Sequence, residues 1–291
     1  MFEILSYTAS DGETLKYGRL YNAQKPDTGK ALLFLPGLGG SVKGALNFLE
    51  LLLPEYSPIY SPDLRGFGLN PIETPLTKTD ILQHDLEAFY QNVIAPAKHY
   101  HLALSGISLG GVLAALMAES HPERYTSLTL LAPAFKPHKN SFSLTYILQN
   151  VMGHLILGSK ARTGLPYGME AVTSNPAILN DPQYQGALQL VLTPGFLLSV
   201  RDLCDHALKS MATLKLPSLI VVPGQDVVCD PGSMRQAFQK IPDNTPKRLL
   251  EYPDFYHDVL FEAEHPRLAQ EALGWLLSLN TLASSGSSPQ G

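Results

Sequence analysis

The segment Leu102–Leu116 constrains this chain more than any other stretch. An apolar, strand-like run enters the pattern Gly106-x-Ser108-x-Gly110, and a helix rich in Ala and Leu leaves it. A strand must therefore turn into a helix within a few residues. A turn that sharp has no room for a Cβ at Gly106 or Gly110, and it places the central serine in a strained backbone conformation. Ser108 is the candidate nucleophile, and the free N–H groups of the helix's first turn point at the reacting centre. The five-residue pattern alone also fits an ordinary glycine-rich turn, and only the strand and helix flanks raise it above that.

Around this segment the chain alternates. Phe2–Thr8 and Thr14–Tyr21 are strand-like and separated by the turn signal Asp11-Gly12, which predicts an antiparallel edge. Ala31–Leu35 is a continuous apolar run, as expected of a strand buried on both faces of a mainly parallel sheet. A helix over Lys43–Leu53, a strand near Ser57–Ser61, a helix over Thr79–Ile94, the strand and helix around Ser108, and a strand over Ser127–Leu131 complete a doubly wound α/β pattern. After Pro133 the alternation stops. Phe142–Leu157, Pro182–Leu192 and Gly195–Leu214 read as apolar helices, so residues 134–213 are expected to form an inserted helical cap. Strands return at Ser218–Val222 and Lys247–Tyr252, followed by an amphipathic helix over Pro266–Leu279. The expected organisation is a core of residues 1–133 and 214–280 split by the cap, with a disordered tail over 281–291.

Composition removes several classes of function. With 45% hydrophobic residues in 291, the chain can bury a sizeable core. Its formal net charge of -5 and lack of a Lys/Arg block give no footprint for nucleic acid or for an anionic membrane. Cys204 and Cys229 lack the spacing of a metal site or redox pair and read as two buried free thiols. The N-terminus has no basic and apolar signal region, and no apolar run reaches membrane-spanning length. A cytoplasmic protein without stable membrane insertion is expected; nothing in the sequence sets its oligomeric state.

A serine hydroxyl needs a base, and the base needs a group that fixes its tautomer. Asp226 follows the strand Ser218–Val222, and His257 follows the strand Lys247–Tyr252. Segments just past the C-terminal ends of parallel strands share one edge of the sheet, so Ser108, Asp226 and His257 can converge there. Asp230, Asp202 and Asp205 are rival acids, of which Asp230 reads as a helix cap because Pro231 follows it. Leu35-Pro36-Gly37-Leu38-Gly39-Gly40-Ser41 supplies small residues after the first buried strand. The backbone N–H groups of Leu38 and Leu109 can thus both point at a developing oxyanion.

These residues together resemble the α/β-hydrolase superfamily, and within it the monoacylglycerol lipase and lysophospholipase branch. The resemblance is carried by Leu35–Gly40, Pro62-Asp63-Leu64-Arg65-Gly66-Phe67-Gly68, Gly106–Gly111, Pro223-Gly224-Gln225-Asp226 and Tyr256-His257-Asp258-Val259-Leu260. It implies an α/β-hydrolase fold: a mostly parallel sheet flanked by helices, with an inserted helical cap. It also implies Ser108 as nucleophile, His257 as base and acid, Asp226 as orienting acid, and Leu38 and Leu109 as oxyanion donors. Pro36 stands where the family usually has His, and Asn70 where a Ser is common.

The expected activity is hydrolysis of a carboxylic ester through an acyl-enzyme, the substrate being a small-molecule acyl ester such as a monoacylglycerol or lysophospholipid with a medium or long acyl group, with neither cofactor nor metal. Phe142, Tyr146, Ile147, Val151, Leu155, Phe196 and Leu197 are candidates to line an acyl pocket under the cap. Acyl transfer by the same triad is the alternative, and a non-catalytic ligand-binding protein on a hydrolase scaffold is the more distant one.

Overall fold

The structure is a computed structural model that describes residues 1–182, 184 and 188–285. Eight strands form one sheet in the order β1-β2-β4-β3-β5-β6-β7-β8. They are β1 (Phe2–Thr8), β2 (Thr14–Leu20), β3 (Lys30–Leu35), β4 (Ile59–Pro62), β5 (His101–Ile107), β6 (Ser127–Leu131), β7 (Ser218–Pro223) and β8 (Lys247–Tyr252). β1 and β2 form the antiparallel edge, β2 meets β4 antiparallel, and every pairing from β4 to β8 is parallel. The central strands are buried on both faces, which is why they read as unbroken apolar runs.

The helices are α1 (Val42–Leu52), α2 (Asp80–Phe89), the single turn α3 (Ala95–Ala97), α4 (Leu109–Ser120), α5 (Leu144–Leu157), the single turn α6 (Pro176–Leu179), α7 (Pro194–Ser210), α8 (Pro231–Lys240) and α9 (His265–Ser285). After β3 the chain crosses to β4 on one side and returns to place β5 on the other, with Leu35 level with Gly106. The strand order thus reverses between β3 and β5, and a crevice opens at their C-terminal ends. Leu38 and Ser108 both lie just past those ends.

Three expectations change. The helix expected over Pro182–Leu192 is absent: the described residues there are turns and extended backbone, and Leu192 bridges Thr163. Leu188, Leu190 and Leu192 alternate, which suits extended chain better than a helix. Much of α7 also belongs to the core layer, because its buried Leu203, Cys204, Ala207 and Leu208 lie on the stretch that packs toward α4. Of the tail expected over 281–291, residues 281–285 belong to α9, and 286–291 lie outside the described residues. Among the described residues no helix is long and apolar enough to cross a membrane.

Candidate active site

Ser108 sits between β5 and α4 at φ 54°, ψ -119°, a left-handed backbone that a side-chain-bearing residue rarely adopts. The glycines on either side are a steric requirement. A Cβ on Gly106 would collide with the Gly110 carbonyl, and one on Gly110 with the Leu35 and Pro36 carbonyls. The turn is thus pressed against the end of β3, and the serine is pushed out at its tip.

The other two segments meet it there. His257 Nε2 lies 2.9 Å from Ser108 Oγ, and His257 Nδ1 lies 2.7 Å from Asp226 Oδ2. An ionised carboxylate only accepts, so Nδ1 carries the proton and Nε2 is left to receive one from the serine. Asp226 is fixed by its other oxygen, which accepts from the backbone N–H groups of Val228 at 2.8 Å and Cys229 at 2.7 Å. Burial opposes a charge on the imidazole, but the Asp226 carboxylate outweighs it and holds the His257 pKa well above the ordinary histidine value.

The rival acids are elsewhere. Asp230 caps α8, accepting from Gly232 N–H at 2.9 Å and Ser233 N–H at 3.1 Å. Asp202 and Asp205 are exposed on α7, the former beside Arg201. Leu38 and Leu109 have no intramolecular acceptor for their N–H groups among the described residues. Of the sites where His, Cys and acidic atoms could share a cation, the described residues offer only Asp226, Cys229 and His257, and there carboxylate and imidazole are already bonded to each other.

A cavity of about 360 Å³ opens beside Ser108 and His257. Leu165, Tyr167, Met169, Val172, Leu188 and Phe261 form its apolar wall, while Lys43 and Asp258 stand at polar positions of the lining. None of the seven expected pocket residues lines it. Phe196 is buried against Phe67, and Ile147, Val151 and Leu155 face outward on α5. Leu165, Tyr167, Met169 and Val172 of this wall belong to the stretch between α5 and α6, which the histidine loop holds in place. Asp258 N–H donates to Val172 O at 2.8 Å, and buried Glu262 accepts from Thr173 Oγ at 2.9 Å and Ser174 Oγ at 3.1 Å.

Two further residues matter that the sequence did not single out for a role. Asp63 accepts from Val42 N–H at 2.7 Å and Leu69 N–H at 2.8 Å, so it pins the start of α1 and with it the loop that carries Leu38. Burial pushes its carboxyl up to about 6 despite those bonds. Cys229 lies against His257, and burial raises its thiol above the ordinary value. Asn70, by contrast, is purely structural, since its amide donates to Lys16 O and Asp63 O and ties β2 to the loop after β4.

A model of the Hydrolase_4 family, described as serine aminopeptidase, S33, matches residues 26–264. The chain belongs to this family. Over 137 residues it is 29% identical to the Arabidopsis thaliana protein "Probable lysophospholipase BODYGUARD 1", a match that covers 45% of this chain and 28% of that protein. A second protein of that plant, "Probable lysophospholipase BODYGUARD 2", is 30% identical over 136 residues, again covering 28% of its length. The chain therefore matches less than a third of these relatives. Among solved structures, the monoacylglycerol lipase of Paleococcus ferrophilus aligns with a TM-score of 0.72 at 18% identity, covering 96% of this chain and 99% of that one. A soluble variant of the Saccharomyces cerevisiae monoglyceride lipase, bound to a substrate analog, aligns with a TM-score of 0.76 at 18% identity over 90% and 91% of the two chains. At such identities the likeness shows the fold: this Hydrolase_4 member has the α/β-hydrolase architecture.

Proposed function

We propose that the protein is a serine hydrolase that cleaves carboxylic esters of medium or long acyl chains through an acyl-enzyme. The observation that carries this reading is the hydrogen-bonded line from Asp226 through His257 to Ser108, beside a cavity with an apolar wall. Ser108 Oγ attacks the ester carbonyl as its proton passes to His257 Nε2. The imidazolium that forms is stabilised by Asp226. The carbonyl oxygen becomes an oxyanion held by the Leu38 and Leu109 N–H groups, the latter at the N-terminus of α4, where the helix dipole also favours negative charge. His257 then gives the proton to the leaving alcohol, the C–O bond breaks, and Ser108 keeps the acyl group as an ester. Water, deprotonated by the same imidazole, releases the acid and restores the serine.

The lining supports this substrate class. Leu165, Met169, Val172 and Leu188 offer an acyl chain apolar contact, and a volume of about 360 Å³ falls within the range of small-molecule sites. The stretch between β6 and β7 acts as the cap that supplies this wall. The plant relatives carry a lysophospholipase name, and the two structural neighbours are lipases of monoacylglycerols; both support an acyl ester of that kind over a peptide.

A substrate panel tests this reading: p-nitrophenyl esters from acetyl to palmitoyl, a monoacylglycerol, a lysophospholipid and a peptide amide, with products identified in the presence and absence of an added alcohol. The expected result is turnover of esters with an optimum beyond acetyl, and free acid as the product. Preferred cleavage of the amide, or an acylated alcohol as the main product, would contradict it.

A further inference from the structure

Helix α5 is built inside out. Its outward side chains Leu144, Leu148, Met152, Leu155 and Ile156 are between 52% and 72% exposed, and the helix has no buried residue. Tyr146, Asn150, Gly153 and His154, at helical spacing on the other side, are the half-buried positions. The Tyr146 hydroxyl donates to Gly164 O at 2.6 Å, and the Asn150 amide donates to Tyr146 O at 2.9 Å. The polar and small residues thus face the protein, and the large apolar ones face away from it. A contiguous apolar face of this kind on a folded chain marks a surface that something else covers.

The surrounding charge says what. From Lys136 to Met169 the sequence has no Asp or Glu, although the chain as a whole carries 26 of them and a net charge of -5. Lys136, Lys139, Lys160 and Arg162 flank the helix on both sides and are exposed, and none makes an ion pair among the described residues. An apolar face with a cationic rim is complementary to an anionic lipid surface. A second copy fits worse, since a two-fold contact through α5 would set one cationic rim against another. The face is also tied to the active site: the Phe142 and Tyr146 rings meet at a tilt, Phe142 meets Tyr167 edge-on, and Tyr167 lines the cavity beside Ser108.

We propose that α5 docks the protein peripherally on anionic phospholipid bilayers, with its outward Leu and Ile side chains in the acyl region and the four basic residues at the headgroups. The overall negative charge hides this because the acids lie outside the segment in sequence, and the nearby Asp80 and Asp202 share a pocket with His154, on the half-buried side of α5. The proposal is independent of which ester Ser108 attacks.

Co-sedimentation of the full chain with vesicles tests it, using phosphatidylcholine alone and an equal mixture of phosphatidylcholine and phosphatidylserine. Binding to the mixed vesicles should be at least ~10-fold tighter than to phosphatidylcholine and should fall to the phosphatidylcholine level in high salt. The double variant Leu148→Ser/Ile156→Ser should lose ~10-fold or more of the partitioning on the mixed vesicles. Lys160→Gln and Arg162→Gln should each lose about fivefold there and nothing on phosphatidylcholine. Both sets should keep the wild-type circular dichroism spectrum and thermal midpoint, so that a loss of binding is not a loss of fold. Equal binding to both vesicle types, no binding to either, or unchanged partitioning of the Leu148→Ser/Ile156→Ser variant overturns the proposal. So does a dimer in sedimentation velocity that this variant abolishes while vesicle binding is absent.

Discussion

Helices α4 and α5 are both strongly apolar, yet α4 is buried along most of its length and α5 has no buried residue. The difference lies in the size and placement of side chains. In α4 the small residues Gly110, Gly111, Ala114, Ala115 and Ala118 let β3, β5, β6 and α7 approach from several sides, so the helix becomes the centre of the molecule. In α5 the side that meets the protein carries Tyr146, Asn150 and His154, and the bulky aliphatic residues are left outside. Apolar composition sets the demand for cover, while geometry decides whether the chain supplies that cover itself. Only α4 has its N-terminus pressed against the end of β3, with Ser108 at the turn, and that is where the proposed chemistry lies.

The largest effect should come from the start of α4. Ser108→Ala is expected to lower ester turnover by about a million-fold, leaving only catalysis by binding and the oxyanion donors. The thermal midpoint should stay close to the wild-type value, because alanine keeps the strained backbone of Ser108 and loses only the hydroxyl contact with His257. Turnover within a few-fold of wild type would break the contrast between the two helices.

Next comes the acid. Asp226→Asn should lower turnover by about four orders of magnitude by favouring the wrong imidazole tautomer. Asp230→Asn should be mild, since Asn caps a helix about as well as Asp. The pH profile of kcat/KM adds a second reading. His257 must be neutral to take the serine proton, and Asp226 raises its pKa. Activity should therefore rise with pH through a single ionisation above the ordinary histidine value of about 6.5. In Asp226→Asn the residual activity should titrate at lower pH.

Stability measurements contrast the two helices directly. Leu113, 1% exposed in α4, should cost about 2–5 kcal/mol when changed to Ala, read from denaturant midpoints. Leu148, 55% exposed in α5, should cost no more than about 0.5 kcal/mol in the absence of lipid. Similar losses at both positions would mean that α5 is covered in the free protein.

The smallest effect concerns the pocket. Met169→Ala should shift acyl-length preference by about 1–3 kcal/mol in kcat/KM between long and short esters, and leave the acetyl ester nearly unchanged. A uniform loss would indicate damage to the wall as a whole.

Much of the core is legible in the sequence because its causes are local. Gly106 and Gly110 report a backbone crossing that admits no Cβ, the unbroken run Ala31–Leu35 reports burial on both faces, and Pro231 after Asp230 reports a cap. Asp226 and His257 can be placed because strand ends in a parallel sheet share an edge. The cavity wall is not legible, because Leu165–Val172 has no period of its own and is held by distant partners, Glu262 and the Asp258 backbone. The same absence of local cause explains the misplaced acyl-pocket residues. The apolar side chains of α5 suggest an inward face, whereas Tyr146 and Asn150 occupy that side. In the stretch 182–192, apolar content suggests a helix although Leu188, Leu190 and Leu192 alternate.

The central claim is that Ser108 is a nucleophile activated by His257. Its most direct test is reaction with a fluorophosphonate followed by mass spectrometry of the peptides. The predicted result is one adduct per chain, on Ser108, absent in Ser108→Ala and formed far more slowly in His257→Ala. No adduct on wild-type protein, an adduct on another residue, or labelling of His257→Ala at the wild-type rate would contradict it.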